Sequence, residues 1–157
     1  MTFTVQKFEK RLLLGLQRLT GRRIFPEYRS LKEDMPTWWE AVDFGNTVNI
    51  IGEPLGVLEL QRDQQESALI VGTLGLAVLE GSTPRAIRYD HLNSFKLPGK
   101  HVSPNVIPVL QYVDDDGRPF PLSFRSVGSA YTFVQFVGRA RWVLDWQQRQ
   151  QSENGTP

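Results

Sequence analysis

Near the C-terminal end, residues 129–150 read SAYTFVQFVGRARWVLDWQQRQ. At about 100° per residue, Ala130, Phe133, Phe136, Val137, Ala140, Val143 and Leu144 fall on one side of a helix. A stripe so broad and so wholly apolar has to cover a core, so the rest of the chain must supply a surface for it. Ser129, just ahead of the stripe, is read as the N-cap, its hydroxyl accepting from a free amide of the first turn. The opposite side carries Tyr131, Gln135, Gly138, Trp142 and Trp146. A contiguous aromatic stripe facing water implies something that covers it, either another part of the chain or another protein. Gly138 in its middle carries no side chain and lets a second backbone come close.

What lies upstream is mostly strand. After Pro54 the period shifts to two, with strands expected over 55–60, 68–71, 76–79, 85–89, 91–97, 106–113 and 120–124. Gly72-Thr73-Leu74-Gly75 is a turn, or a bulge in one bent strand. Asp114-Asp115-Asp116-Gly117 is a hairpin turn, and Pro121 marks an edge strand. Short strands spaced by turns and followed by one amphipathic helix describe an antiparallel sheet folded round a core, with the helix closing one end.

Ahead of the strands the pattern is different. Residues 4–20 form an amphipathic helix with Val5, Phe8, Leu12, Leu16 and Leu19 on one stripe and Gly21 as its stop. Lys7, Lys10, Arg11, Arg18, Arg22 and Arg23 stand against Glu9 alone in residues 1–23, a local balance of +5 in a chain whose net charge is +1. This basic face is the candidate for contact with an anionic membrane surface. Residues 22–52 lose regular period and concentrate aromatics, among them Trp38 and Trp39, with a short helix expected over 37–42 after Pro36. The resulting division is 1–53 as an N-terminal extension, 54–150 as the sheet-and-helix body, and 151–157 as a fraying tail.

Composition narrows the function classes. The 157 residues include no cysteine, which excludes disulfide scaffolds, zinc ribbons and thiol catalysis. A net charge of +1 gives no global field for nucleic acid, leaving Arg22-Arg23 and the basic helix as the only patch, and a nucleic-acid partner is not expected. The longest apolar run, residues 68–79, is too short and too broken to span a membrane. The phosphate-cradling and nucleophile-elbow motifs are missing. His91 and His101 have no identifiable nucleophile to serve. The three aspartates at 114–116 lack the later oxygens that a calcium loop requires. No catalytic residue, metal site or cofactor is therefore expected, and the absence of cysteine fits a reducing cytoplasm.

Taken in order, ALIVGTLGLAVLE (68–80), RAIRYDHLNSFKL (85–97), VLQYVDDDGRPFPLSF (109–124) and the terminal helix with Arg141-Trp142-Val143-Leu144 resemble the pleckstrin-homology superfold and its bacterial relatives. The resemblance is one of pattern and covers about residues 54–148. It implies an α+β, mainly β chain: an antiparallel barrel closed by a C-terminal helix, here with an N-terminal helical extension. Lipid-binding members carry a basic cluster in the first strand–strand loop. The matching loop here, Gln61-Arg62-Asp63-Gln64-Gln65-Glu66, holds one arginine and two acids, so a phosphoinositide ligand is not expected. The family's helix tryptophan packs on the barrel, which would turn Trp142 inward. The expected function is that of a non-enzymatic protein-binding module, such as an adaptor or a bacterial inhibitor of the immunity-protein kind. Its binding residues would be Tyr131, Trp142, Trp146, Trp38 and Trp39. The alternative is peripheral membrane association through the basic N-terminal helix.

Overall fold

The computed structural model describes residues 28–32, 34–61, 63–81, 83–99 and 106–154. The helix expected over 4–20 and its cations Lys7, Lys10, Arg11, Arg18, Arg22 and Arg23 lie outside these, as do Arg62, His101 and the last three residues. Five antiparallel strands form a meander in the order β1 (Tyr28–Ser30), β2 (Pro54–Leu58), β3 (Leu69–Gly72), β4 (Gly75–Glu80) and β5 (Thr83–Arg88). A second meander follows: β6 (Phe95–Lys96), β7 (Val109–Val113) and β8 (Pro119–Ser123). A short helix α1 (Thr47–Ile51) precedes β2, and a long helix α2 (Val127–Asn154) ends the chain. The chain is thus α+β and mainly sheet, with a C-terminal helix.

The core has two parts because the large sheet is buried on both faces. On one face Leu55, Leu69, Val71, Leu76 and Ile87 meet Leu110, Tyr112, Phe120 and Leu122 of the small sheet and Phe133, Phe136, Val137 and Leu144 of α2. On the other face Val57, Ile70, Ala77 and Leu79 meet Trp38, Val42 and Ile51, with Leu31, Trp39 and Phe44 packed round them. The unbroken apolar run in β3 and β4 follows from this, since a strand covered on both sides has no position left for polar residues. Leu31 and residues 34–51 are therefore the lid of the second core. The lid is fastened at the β3–β4 turn, where the Leu74 N–H donates to Ile51 O at 2.7 Å and the Thr73 N–H to Glu53 O at 3.0 Å. Gly72 permits that approach, because a Cβ there would lie 2.3 Å from Ile51 O.

The seven residues assigned to the core face of the terminal helix are all buried. The helix is longer than its pattern suggested, running from Val127 to Asn154. Its cap is Ser126 and not Ser129: the Ser129 N–H donates to Ser126 Oγ at 3.1 Å, which places Ser129 at the third helical position. The four glutamines and Arg149 after Trp146 are good helix formers, and no glycine or proline interrupts them before Gly155.

The barrel expected from the resemblance does not close. Among the described residues no strand pairing joins the two sheets, and the reason lies in β8. At its ends the Phe124 N–H donates to Pro108 O and the Asp114 N–H donates to Arg118 O. Counting by two, Phe120 and Leu122 turn their backbone groups toward β7, and residues 119, 121 and 123 turn theirs outward. Two of those three outward positions are Pro119 and Pro121, which have no N–H to offer. Side chains bridge the seam instead: Arg85 Nη2 donates to Pro119 O at 3.0 Å, and Arg125 Nε to Leu60 O at 2.7 Å. Arg85 also lies 4.5 Å from the centre of the Phe120 ring. Between the two bridges the seam leaves a cavity of about 300 Å³ floored by Leu69, Val78, Val109 and Leu122.

Other differences are local. The strand expected over 91–97 shrinks to Phe95–Lys96, because residues 89–91 close into a 3-10 turn. The helix expected over 37–42 is a 3-10 turn at Trp39–Ala41. Asp114–Gly117 is the expected hairpin turn, with Gly117 at φ +77° and Asp114 Oδ1 accepting from the N–H groups of Asp116 and Arg118.

Candidate interaction surface

The outward side of α2 keeps the order that the sequence gives it, with unequal exposure. Trp142 is 63 % exposed, the most exposed of the large apolar side chains described. Gln135, Gly138, Asp145 and Arg149 are exposed beside it, and Tyr131 and Trp146 are half-buried. Trp142 points outward because its two neighbours along the turn are held elsewhere. Val143 is in the core, and Arg141 reaches across to donate from Nη1 to Leu92 O. The inward placement that the resemblance implied for Trp142 is therefore wrong. Tyr131 is tied at one edge of the face, its hydroxyl donating to Pro98 O at 3.4 Å. A Cβ on Gly138 would meet nothing within 4 Å, so the helix surface one turn before Trp142 is an open notch.

The second aromatic pair behaves differently. Trp38 is only 7 % exposed and belongs to the second core. Its ring centre lies 6.0 Å from that of Trp39, which in turn lies 4.7 Å from Phe44. These rings hold the lid on the large sheet, so Trp38 is corrected from a surface residue to a core residue. The sequence signal was present, since a strand run apolar at every position needs a second cover. Of the five aromatics expected at a binding surface, only Tyr131, Trp142 and Trp146 share a face.

Two polar clusters escaped the sequence reading. In the first, His91 Nδ1 donates to Asp115 Oδ2 and Asn93 Nδ2 donates to Asp115 Oδ1 at 2.8 Å, joining the hairpin tip to the 3-10 turn. These bonds, that from His91 foremost, hold the Asp115 carboxyl below the usual carboxylate range. Alongside, Arg88 grips Asp90 with two bonds of 3.0 and 3.3 Å, and these outweigh the effect of burial and lower its pKa as well. The second cluster is buried. Arg29 and Glu59 are 8 % and 3 % exposed, and Arg29 Nη2 lies 3.6 Å from Glu59 Oε2. Arg29 Nη1 donates to Asp63 Oδ1 at 3.0 Å, and the Asp63 N–H donates back to Glu59 Oε2. Burial alone would lower the arginine pKa. The Asp63 bond and the charges of Glu59, Asp63 and Asp34 outweigh it and hold the guanidinium above its ordinary value. This cluster pins the edge strand β1 to the loop after β2.

Among the described residues no group of three His, Asp or Glu side chains is placed to hold a metal ion, and no helix is long and apolar enough to cross a membrane. Comparison with protein-family models, with curated proteins and with solved structures finds no match.

Proposed function

We propose that this chain is a non-enzymatic protein-binding module built on a pleckstrin-homology-like plan, with the outward face of α2 as its docking surface. The plan is supported by the strand count. β2–β5 make a four-stranded meander, β6–β8 a three-stranded one, and the C-terminal helix packs its apolar face between them. β1 and the lid over the second core are additions to that plan. The observation that carries the functional reading is Trp142. A tryptophan 63 % exposed on a regular helix, next to a bare glycine, is a costly arrangement for a surface that meets only water. Tryptophan is also among the side chains most often responsible for interface affinity. An inhibitor or immunity-type role, in which this face covers a partner's working surface, is the specific form that we favour.

The test is site-specific photocrosslinking in the source cells. A photoreactive residue at Gln135, on the helix face, is expected to capture one defined protein. The same group at Gln111, exposed on β7, is expected to capture none. Trp142→Ala should abolish the capture while leaving the circular dichroism spectrum unchanged. Equal capture at both positions, or capture indifferent to Trp142→Ala, overturns the proposal.

A further inference from the structure

We infer that the cavity in the seam between the two sheets binds a small alkylguanidinium, a planar organic cation on a short hydrocarbon chain. No residue of α2 lines this cavity, so the inference stands apart from the reading of the Trp142 face. The seam itself shows which chemistry it accepts. Both side chains that bridge it are guanidinium groups donating to backbone carbonyls, Arg85 to Pro119 O at 3.0 Å and Arg125 to Leu60 O at 2.7 Å. The outward backbone positions of β8 are 119, 121 and 123. Arg85 takes the first and Arg125 crosses beyond the last. Pro121 and Ser123, between the two bridges, line the cavity.

Between the bridges the seam is built mostly from acceptors. The outward positions of β8 carry three carbonyls and a single N–H, that of Ser123, because Pro119 and Pro121 have none. The charged residues lining the cavity are Glu66 and Glu80, both exposed, and among the described residues no cation lines it. Glu80 already faces one guanidinium, its Oε1 lying 4.0 Å from Arg85 Nη1. A guanidinium has five N–H donors and no acceptor, so it matches a wall of carbonyls and carboxylates. Its planar, weakly hydrated faces also rest well on apolar groups, as Arg85 does 4.5 Å from the centre of the Phe120 ring. Leu69, Val78, Val109 and Leu122 give the hydrocarbon chain an apolar floor in a space of about 300 Å³. An extended peptide is the poorer occupant. A strand added to β8 would find no N–H at 119 or 121 to receive its carbonyls. The occupant is therefore a free small molecule, held at its head by the acceptors and along its chain by the floor.

The probe is N-butylguanidinium, titrated at low salt into the isotope-labelled full chain and followed by amide NMR. Saturable shifts are expected at Ser67, Val78, Gly81, Val109 and Ser123, all of which line the cavity. The dissociation constant should be on the order of 1 mM, because the carboxylates are exposed and the ligand is small. N-butylurea has the same shape without the charge and should not saturate over the same range. Glu66→Gln/Glu80→Gln should weaken binding about fivefold. Val109→Phe, a change at a residue 40 % exposed on the cavity wall, should fill the space and abolish binding while the rest of the spectrum stays native. Shifts scattered outside the seam, absence of saturation, N-butylurea binding as tightly, or either variant binding like the wild type overturns the inference. Tighter binding of an arginine blocked at both ends as amides than of N-butylguanidinium refutes the free molecule in favour of a peptide side chain.

Discussion

Replacing Arg29 by methionine removes a cation from a site where water cannot replace it. Arg29 and Glu59 are 8 % and 3 % exposed, so the variant leaves the Glu59 carboxylate buried without its counter-charge. Breaking a buried pair from one side costs about 3–5 kcal/mol, most of it the penalty of the charge left behind. For a chain of this length each kcal/mol lowers the melting temperature by about 2–4 °C, so a fall of roughly 6–20 °C is expected. Asp34, 3.8 Å from Arg29 Nε and half exposed, adds little to that figure. The double variant Arg29→Met/Glu59→Leu removes the stranded charge along with its partner. It should recover a large part of the loss, although the Asp63 N–H, which donates to Glu59 Oε2, then loses its acceptor at a cost of about 1 kcal/mol. Urea denaturation of the wild type, both single variants and the double variant closes the cycle, with an expected coupling of about 2 kcal/mol or more. A loss below about 1 kcal/mol for Arg29→Met, or strictly additive variants, would refute the claim that this pair holds β1 to the sheet.

Two further outcomes follow from the same geometry. Phe133 is fully buried, its ring centre 5.2 Å from that of Phe124 and 5.4 Å from that of Phe136, so Phe133→Ala should cost about 3–5 kcal/mol in denaturant titration. An unchanged midpoint would mean that the helix phase is misassigned. For Asp115 the folded pKa is depressed, so its bonds to His91 and Asn93 contribute above the ordinary carboxylate value of about 3.9 and are lost as pH falls through the lower folded value. Carbon NMR should show Asp115 titrating below that ordinary value and moving up toward it in His91→Ala. Identical midpoints in the two proteins would remove His91 as the cause.

The parts of this fold that could be read from sequence are those with a short repeat. The core side of α2 repeats at 100° over four turns, and all seven assigned residues are buried. The strands from β2 to β5 alternate or run apolar between glycine- and proline-marked turns. Where the chain gives no period, reading failed. β1 is three residues long and is held by Arg29, whose partners Glu59 and Asp63 lie 30 and 34 positions away. The His91–Asp115 bond spans 24 positions and joins two segments that each look like an ordinary turn. The N-cap was misplaced by one turn because Ser126 and Ser129 are both serines and only the backbone conformation separates them.

The failure of the barrel and the isolation of Trp142 come from one physical source, the disposal of edges and faces. A sheet with a free edge must pair it, cover it or disarm it. β8 disarms its edge with Pro119 and Pro121, and Arg85 and Arg125 span what the backbone cannot. A sheet face must likewise be covered, and the outer face of β2–β5 takes its cover from Leu31 and residues 34–51, consuming Trp38 and, in part, Trp39 and Phe44. Trp38 and Trp39, conspicuous in the sequence as possible contacts with a partner, are accounted for by a surface of this same chain. Among the described residues Trp142 is not, because the strands, the seam and the lid all lie on the other side of α2. The exposure of that ring is a remainder after the requirements of the described fold are met, and a remainder of this kind is the proper starting point for an argument about binding.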